Sequence, residues 1–379
     1  MGMIGGGIDG FIGAVHRKVA WLDGGIELVS GAFSSDPKKS KDTGKELFLN
    51  MDRVYGSYKE MIAKEKTLPD DQRMDFVSIV TPNHFHFEPA KMALENGFHV
   101  IIDKPMTFNL DEAKKLKKVV EKTNLLLAVT HTYTGYPMVK EARNFIASKK
   151  LGKIRKVQVE YSQGWLSTFL EKSGQKQASW RTDPTKSGVG GAIGDIGTHA
   201  ANLAEYVTGK NITEVCAMIN IVVEGRLLDD DSSMLLKFED GLTGSLIATQ
   251  VAAGEENNLS IRVYGEKGGL EWHQEEPNSL IIKWIDKPRQ IYRTGWDYLS
   301  LEAKNNFRTP SGHPEGYLEA FANIYKSFSE AVRQYDKNKK VQIEKYDFAN
   351  VDDGVRGLAF IETVIKSSKS NQKWTKLIV

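Results

Sequence analysis

Short apolar runs alternate with helical patterns through the first third of the chain, and this alternation limits the possible folds more than any other feature. The predicted strands are apolar runs bounded by turn residues, at Glu27–Phe33, Phe76–Val80, Phe98–Ile102 and Leu125–Val129. Strands that alternate with helices form βαβ units, which require a parallel sheet. We therefore expect residues 1–135 to form an α/β domain with a parallel sheet.

The pattern changes after Tyr136-Pro137. Strands are predicted in succession, with few helices between them, at Lys156–Tyr161, Ser233–Phe238, Leu242–Thr249, Leu259–Tyr264 and Leu280–Trp284. Helices are predicted at Met138–Ala147, Glu315–Arg333 and Val351–Ser367. Strands in succession favour antiparallel pairing. Residues 136–379 are therefore predicted to form an α+β domain with a mostly antiparallel sheet.

Composition excludes several functional classes. The 379 residues suffice for two domains, and 51 basic against 49 acidic residues leave a net charge of +2. That balance argues against binding to nucleic acid or to an anionic membrane. The chain has one cysteine, so an intramolecular disulfide is impossible. We identify neither an export signal nor an apolar run of roughly 20 residues, and we expect a cytoplasmic protein.

A glycine-rich turn near the N-terminus predicts a dinucleotide site. Gly5, Gly7 and Gly10 fit the pattern G-x-G-x-x-G, and Gly13 follows with His16 three residues later. Without Cβ atoms, backbone N–H groups can approach a pyrophosphate, and the N-terminus of the next helix favours its negative charge. The alternative is a flexible N-terminal tail, since glycines are frequent in this stretch.

The residues after the second predicted strand leave the choice of dinucleotide open. An acidic residue that grips the adenosine ribose is expected there, but the chain has Ser34. Serine removes repulsion against a 2′-phosphate, and Lys38 or Lys39 is near enough in sequence to pair with one. Asp36 is an alternative ligand for NAD, or it begins a helix with Pro37. The cofactor is predicted to be NAD or NADP.

Lys104 is the first candidate catalytic residue. It follows the apolar run Phe98–Ile102 and precedes Pro105, and ligands gather at the carboxyl ends of strands in open α/β sheets. An ammonium group at that edge can stabilise the alkoxide that forms as a hydride leaves a carbon. The alternative is a surface lysine in a turn.

Asp195 and His199 form the second candidate pair. Their spacing predicts one face of a helix, one turn apart. Histidine is suited to accept a proton near neutral pH, and a nearby carboxylate stabilises its charged form. The alternative is a capping aspartate and a structural histidine. His84 and His86 lack a cluster of further ligands, so no metal site is predicted.

Taken together, these motifs resemble those of the glucose–fructose oxidoreductase, inositol dehydrogenase and MocA family (Gfo/Idh/MocA), over nearly the whole chain. The matching motifs are the glycine turn, Thr81-Pro82-Asn83, Asp103-Lys104-Pro105, Gly152-Lys153-Ile154, Trp180-Arg181, Asp195-x-Gly197-x-His199 and Gly265-Glu266-Lys267-Gly268. The resemblance implies an N-terminal Rossmann domain and a C-terminal domain with a large open sheet. It also implies a homodimer or homotetramer assembled through that sheet.

The resemblance assigns roles to individual residues. It implies a catalytic triad of Lys104, Asp195 and His199, with His199 as the acid/base, and substrate contacts to the last two. The implied cofactor contacts are Thr81, Asn83, His86, Lys104 and Arg181. The cofactor contacts predicted from the residues themselves are Gly5, Gly7, Ile12 and Gly13 in the glycine turn, and Ser34 and Lys38 after the second strand. Tyr133 and Trp165 are candidate substrate contacts, or else ordinary core residues. Proline after Lys104 is often cis in the family.

The chain departs from the family pattern in three places. The glycine turn is three residues longer, and we favour Gly13 over Gly10 as the third motif glycine because His16 follows it at the expected spacing. Asp103 replaces the more common glutamate. Residues 130–136 replace the usual asparagine and arginine, so the substrate contacts there differ.

The sequence therefore predicts an NAD(P)-dependent dehydrogenase that oxidises a secondary hydroxyl of a sugar, glycoside or cyclitol. Two alternatives remain open: a glycoside hydrolase or lyase that oxidises its substrate transiently, and a non-catalytic regulator that binds nucleotide. The identity of the substrate stays open as well.

Overall fold

The computed structural model describes residues 1–379, apart from the side chains of Lys176 and Asn338. The chain divides into two compact units, each built from two segments. The first unit contains Met1–His131 and Phe321–Val355, and the second contains Thr132–Ala320 and Arg356–Val379. The predicted domain boundary after residue 135 divides the chain once, whereas the segment 321–355 returns to the first unit. The division into a domain of residues 1–135 and a domain of residues 136–379 therefore stays a prediction.

Strands and helices alternate through residues 1–131. In chain order they are β1 (Gly2–Gly5), α1 (Phe11–Trp21), β2 (Ser30–Ala32), α2 (Pro37–Glu46), α3 (Tyr58–Glu65), β3 (Phe76–Val80), α4 (Phe87–Glu95), β4 (His99–Ile102), α5 (Leu110–Thr123) and β5 (Leu127–Val129). The predicted strand Glu27–Phe33 is shorter in the structure, because only Ser30–Ala32 pairs with β1.

The remaining elements begin with α6 (Pro137–Ala147), β6 (Ile154–Ser162), α7 (Lys176–Arg181), α8 (Pro184–Ser187), α9 (Thr198–Thr208), β7 (Ile212–Asn220) and β8 (Asp231–Phe238). They continue with β9 (Thr243–Thr249), β10 (Asn258–Gly265), β11 (Gly268–His273), β12 (Ser279–Trp284), β13 (Gln290–Arg293), α10 (Leu301–Lys304), α11 (Tyr317–Asn338), α12 (Val351–Ser368) and β14 (Thr375–Lys376). No helix among the described residues is both long and apolar enough to span a bilayer.

The sheet of the first unit has the strand order β2-β1-β3-β4-β5, and every pair is parallel. The predicted parallel sheet is confirmed. All residues of β3 and β4 are buried, as in parallel sheets whose two faces are covered by helices. Parallel strands place all their carboxyl ends at one edge, where ligands bind in open α/β sheets. The glycine turn after β1, Thr81 after β3 and Lys104 near the end of β4 therefore lie at this edge.

The returning segment 321–355 contributes to the core of the first unit. The ring centroid of Phe328 lies 5.2 Å from that of Phe76 and 5.5 Å from that of Phe348. The backbone N–H of Val129 donates to the carbonyl of Ala349 at 2.8 Å. Residues far along the chain thus complete the packing around β3 and β5.

The sheet of the second unit has the order β13-β12-β11-β10-β6-β9-β8-β7-β14. The pair β6 and β9 is parallel, and the other pairs are antiparallel, so the predicted large, mostly antiparallel sheet is confirmed. Apolar residues face each other across five strands on its buried face: Met234, Leu246, Val159, Ile261 and Trp272. This face supports the helices of the second unit, among them α9.

Candidate active site

The glycine turn packs directly against the first turn of α1. Gly5 and Gly6 adopt left-handed backbone conformations, with φ of 82° and 70°, which glycine reaches without steric cost. A Cβ atom on Gly13 would lie 2.3 Å from the Cα of Gly6, whereas one on Gly10 would meet only the carbonyl of Gly7, at 3.1 Å. The close contact requires glycine at position 13. The turn and the N-terminus of α1 approach each other as closely as a pyrophosphate site requires, and the role of Gly13 as the third glycine stays a prediction.

The residues after β2 are used for capping. The Asp36 carboxylate accepts hydrogen bonds from the backbone N–H of Lys38 at 2.9 Å and of Lys39 at 3.4 Å. The Ser34 hydroxyl accepts one from the N–H of Asp36 at 3.1 Å. Asp36 thus begins α2, which was one of the sequence alternatives, and the Lys38 side chain is exposed.

The turn after β4 presents Lys104 next to a hydrogen-bonded carboxylate. Asp103 accepts from the backbone N–H of Lys104 and from the Thr130 hydroxyl, both at 2.9 Å. The Lys104–Pro105 peptide bond is cis. His131 is buried beside this turn, and burial, with repulsion from Lys104, lowers its pKa to about 3. His131 is therefore neutral at physiological pH.

His86 connects the two loops that follow β3 and β4. Its Nε2 lies 2.7 Å from the carbonyl oxygen of Thr81, and its Nδ1 lies 2.9 Å from that of Pro105. The ring is fully buried, and burial lowers its pKa. Asn83 is also buried in this turn. The two ring nitrogens of His86 thus contact one backbone carbonyl in each of the two loops, and the one in the second loop belongs to the residue after Lys104.

A buried polar cluster lies in the first unit around α1. His16 Nδ1 lies 2.7 Å from the Tyr325 hydroxyl, which lies 2.8 Å from the hydroxyl of Ser78 on β3. Burial lowers the pKa of His16 to about 4, so the imidazole is neutral. Sequence reasoning found His16 by its spacing from Gly13 but missed Tyr325, which is 309 residues away in the chain.

In the second unit, Asp229 holds the loop that leads to the second candidate pair. Its carboxylate accepts hydrogen bonds from the backbone N–H of Gly191 at 2.6 Å and of Ile193 at 2.8 Å. A Cβ on Gly191 would lie 2.1 Å from the carbonyl oxygen of Asp229. Burial raises the pKa of Asp229 to about 6 despite these hydrogen bonds. Sequence reasoning missed Asp229.

Asp195 lies in a π-helical turn, Ile193–Gly197, and His199 lies in α9, which begins at Thr198. The prediction of a regular helix carrying both residues was wrong for this first turn, because the i→i+5 bonding widens it. The Asp195 Oδ2 atom accepts a hydrogen bond from Gln250 Nε2 at 2.9 Å and lies 3.3 Å from Arg181 Nε. Arg181, a predicted cofactor contact, thus pairs with Asp195.

Aromatic rings surround His199, which is 9% exposed. The Tyr133 ring lies edge-on at a centroid distance of 4.9 Å, and the Tyr161 ring lies at 6.4 Å. The two tyrosine hydroxyls are hydrogen-bonded to each other, and burial raises the pKa of both. The structure thus brings Tyr133, Asp195 and His199 into one region of the second unit, together with Tyr161, which sequence reasoning had not selected.

Trp165 belongs to the same region. Its indole N–H donates to Gln163 Oε1 at 3.0 Å. The loop that carries Trp165 is fixed by Arg226, whose side chain is 1% exposed and donates to the carbonyls of Leu166 and Thr168. Among the described residues, the structure contains no group of three or more His, Cys, Asp or Glu side chains that could hold a metal ion.

Two family models match the chain. Residues 1–131 match the model of the oxidoreductase family with an NAD-binding Rossmann fold, and residues 139–271 match the GFO/IDH/MocA C-terminal domain. The chain is 31% identical over 377 residues to the uncharacterized oxidoreductase YfiI of Bacillus subtilis, covering 99% of this chain and 95% of that one.

Two further relatives have more informative descriptions. The crystal structure of an inositol dehydrogenase homolog complexed with NAD+, from Azotobacter vinelandii, superposes with a TM-score of 0.94 at 33% identity, covering 99% of this chain and 96% of that one. A levoglucosan dehydrogenase of Pseudarthrobacter phenanthrenivorans is 26% identical over 319 residues, covering 78% of this chain and 79% of that one.

Proposed function

The chain belongs to the GFO/IDH/MocA oxidoreductase family, and on that premise we propose that it oxidises a secondary hydroxyl of a sugar, glycoside or cyclitol. Its N-terminal domain is an NAD-binding Rossmann domain. The observation that carries the proposal is the buried region around His199, where an imidazole, a carboxylate and two tyrosine hydroxyls lie together. Such a region offers a proton acceptor and several hydrogen-bonding groups to a polyhydroxylated molecule.

We propose the following roles. His199 accepts the proton of the substrate hydroxyl, since imidazole is suited to that task near neutral pH. Lys104 donates a hydrogen bond to the oxygen and stabilises its negative charge. Asp195 orients the substrate or the imidazole. Bound NAD supplies the acceptor for the hydride that leaves the same carbon, so that the alcohol becomes a carbonyl.

We propose NAD rather than NADP as the cofactor. The relative with a TM-score of 0.94 is described as complexed with NAD+. The glycine turn and Gly13 are proposed to hold the pyrophosphate, and Thr81 and Asn83 to contact the nicotinamide ribose. Asp36 already accepts two backbone N–H groups. We therefore propose Ser34 as the ribose contact, because its hydroxyl accepts one backbone N–H but can still donate, and Lys38 as the source of any residual binding of NADP.

We also propose a homo-oligomer assembled through the outer face of the second sheet, and a cytoplasmic location. Apolar side chains are exposed on three neighbouring strands of that face: Met218 (57%), Leu235 (48%) and Ile247 (38%). Contiguous exposed apolar residues on a sheet favour association. Sedimentation of the wild type and of Leu235→Lys would test this assembly, and a wild type that sediments as a monomer would refute it.

A spectrophotometric screen tests the enzymatic function. Purified protein is mixed with NAD or NADP and with hexoses, glucosides, disaccharides, anhydrosugars and inositols, and formation of the reduced cofactor is followed. Lys104→Ala and His199→Ala should lose turnover by about 100-fold or more while retaining cofactor binding. The exposed Lys118 and His313 provide matched alanine controls. If product forms without net formation of reduced cofactor, a hydrolase or lyase that oxidises its substrate transiently is favoured. Full activity in both Lys104→Ala and His199→Ala would refute the catalytic roles proposed for these two residues.

A further inference from the structure

Two side chains hold the Asp195 carboxylate from outside its own helix. Gln250 donates to Oδ2 at 2.9 Å, and Arg181 lies 3.3 Å from the same oxygen. Gln250 follows β9 directly and is 2% exposed. Its backbone N–H donates to the carbonyl of Asp230 at 2.8 Å, which fixes the residue against β8. The amide of Gln250 is therefore a rigid partner, anchored to the sheet.

The amide of Gln250 continues into a chain of hydrogen bonds. Its Nε2 also lies 3.3 Å from Gln163 Oε1, which accepts from the Trp165 indole at 3.0 Å. Gln163 Nε2 donates to Asn257 Oδ1 at 2.7 Å, and that oxygen also accepts from the Tyr161 hydroxyl at 2.7 Å. The chain thus joins Asp195 to the aromatic groups around His199.

The carboxylate sets the direction of every bond in this chain. An ionised carboxylate accepts hydrogen bonds and donates none, so Gln250 must present its NH₂ group to Asp195. The second N–H of that group then donates to Gln163 Oε1. Because the Gln163 oxygen accepts this bond, the NH₂ group of Gln163 points to Asn257 and donates to its Oδ1. A glutamine flipped at either position would oppose two acceptors or two donors.

We propose that Gln250 is a positioning residue, which holds the Asp195 carboxylate in its working orientation and transmits that orientation through Gln163 to Trp165 and Asn257. The proposal deepens the proposed function, because it takes Asp195 to act on the substrate. It adds a residue 55 positions away in the chain. It also explains why a glutamine, whose NH₂ group offers two donors, is enclosed at this point.

The charged and titratable groups that face Asp195 come from several elements. Arg181 approaches from α7. Tyr133 and Tyr161, whose pKa values are raised by burial and by the charge of Asp195, approach from the 3-10 turn at residues 132–135 and from β6. His199 lies in the first turn of α9. Gln250 adds a neutral donor, and a carboxylate in its place would repel the negative charge.

Titration of the Asp195 carboxyl carbon by ¹³C NMR tests the proposal without any substrate. The protein is labelled with aspartate carrying ¹³C in the carboxyl group, and the signal is assigned by its loss in Asp195→Asn. Gln250→Glu should raise the midpoint by about one pH unit or more, since two adjacent carboxylates cannot both ionise easily. Gln250→Met, which removes the donor without adding charge, should raise it by less.

Gln158→Glu provides the matched control, because the same substitution falls on an exposed position of β6. It should leave the midpoint unchanged. If Gln250→Glu does not fold, Gln250→Met decides the question. A midpoint that stays within about 0.3 pH unit of the wild type in the folded Gln250 variants would overturn the proposal, because the lost hydrogen bond must then have been negligible.

Kinetics separate this proposal from the proposed function. If the wild type oxidises a polyol, the acidic limb of its pH profile of kcat/KM should move with the NMR midpoint in the Gln250 variants. A merely structural role would lower Tm without moving either curve. If no polyol is oxidised but the NMR midpoint moves, Gln250 positions Asp195 and the proposed function fails. If the wild type oxidises a polyol but the Asp195 midpoint is unchanged in the Gln250 variants, the proposed function holds and the positioning role of Gln250 fails.

Discussion

Gly13→Ala should abolish most of the affinity for the dinucleotide. The new Cβ would lie 2.3 Å from the Cα of Gly6 and 2.8 Å from its carbonyl oxygen. Carbon atoms in contact lie about 3.5–4.0 Å apart, so the turn and α1 must separate by roughly 1 Å. Both neighbours are backbone atoms, and the strain cannot be relieved by rotating a side chain.

The magnitude follows from the hydrogen bonds that such a separation breaks. A shift of this size moves backbone N–H groups of the turn out of hydrogen-bonding range of a phosphate. Each hydrogen bond to a charged group contributes about 1.5–3 kcal/mol, so the loss of two weakens binding by about 3–6 kcal/mol. Since about 1.4 kcal/mol corresponds to a tenfold change, Kd for NAD should rise by at least about 100-fold.

Isothermal titration calorimetry with NAD at constant salt measures this effect, with Tm as a check on folding. Gly10→Ala is the control, because its Cβ meets only the carbonyl of Gly7, at 3.1 Å. Its Kd should change by less than about tenfold, or about 1.4 kcal/mol. A folded Gly13→Ala protein that binds NAD as the wild type does would refute the reasoning. Greater damage from Gly10→Ala would make Gly10 the third glycine.

Three further predictions concern stability, measured by urea unfolding. The pKa of Asp229 is about 6 in the folded protein against an ordinary value of 3.8, so its favourable contribution is complete below pH 3.8 and is lost as the pH rises through 6. Up to about 3 kcal/mol of pH dependence should therefore disappear in Asp229→Asn, and an unchanged slope would contradict this. Tyr325→Phe removes the hydroxyl partner of His16 and should cost about 1–3 kcal/mol; no loss of stability would mean that the buried cluster is not stabilising. Arg226→Met leaves the Asp230 carboxylate buried without its cation and should cost about 3–5 kcal/mol, whereas a gain would show that an apolar side chain is preferred there.

The strands and the parallel sheet could be predicted because their signals are local. The strand Phe76–Val80 has the same bounds in the sequence prediction and in the structure. Its residues are all apolar or small, as a strand buried on both faces requires. The helix predicted at Met138–Ala147 begins one residue earlier in the structure, at Pro137, because proline is suited to the first position of a helix.

The candidate site was only partly predictable because several of its contacts join distant positions. Gln250 and Asp195 are 55 residues apart, and Asp229 and Gly191 are 38 apart. Spacing along the chain carries no sign of either contact. The π-helical turn at Ile193–Gly197 was also missed, because periodicity of apolar residues does not separate i→i+5 from i→i+4 bonding within a single turn.

The return of residues 321–355 to the first unit has a consequence for synthesis on the ribosome. Met1–His131 emerges early but lacks the rings of Tyr325 and Phe328 that complete its interior. Translation at roughly 5–20 residues per second imposes a wait of the order of ten seconds or more before those rings arrive. During that interval the nascent nucleotide-binding half exposes apolar surface, to which chaperones that recognise such surface should bind until the last helices appear.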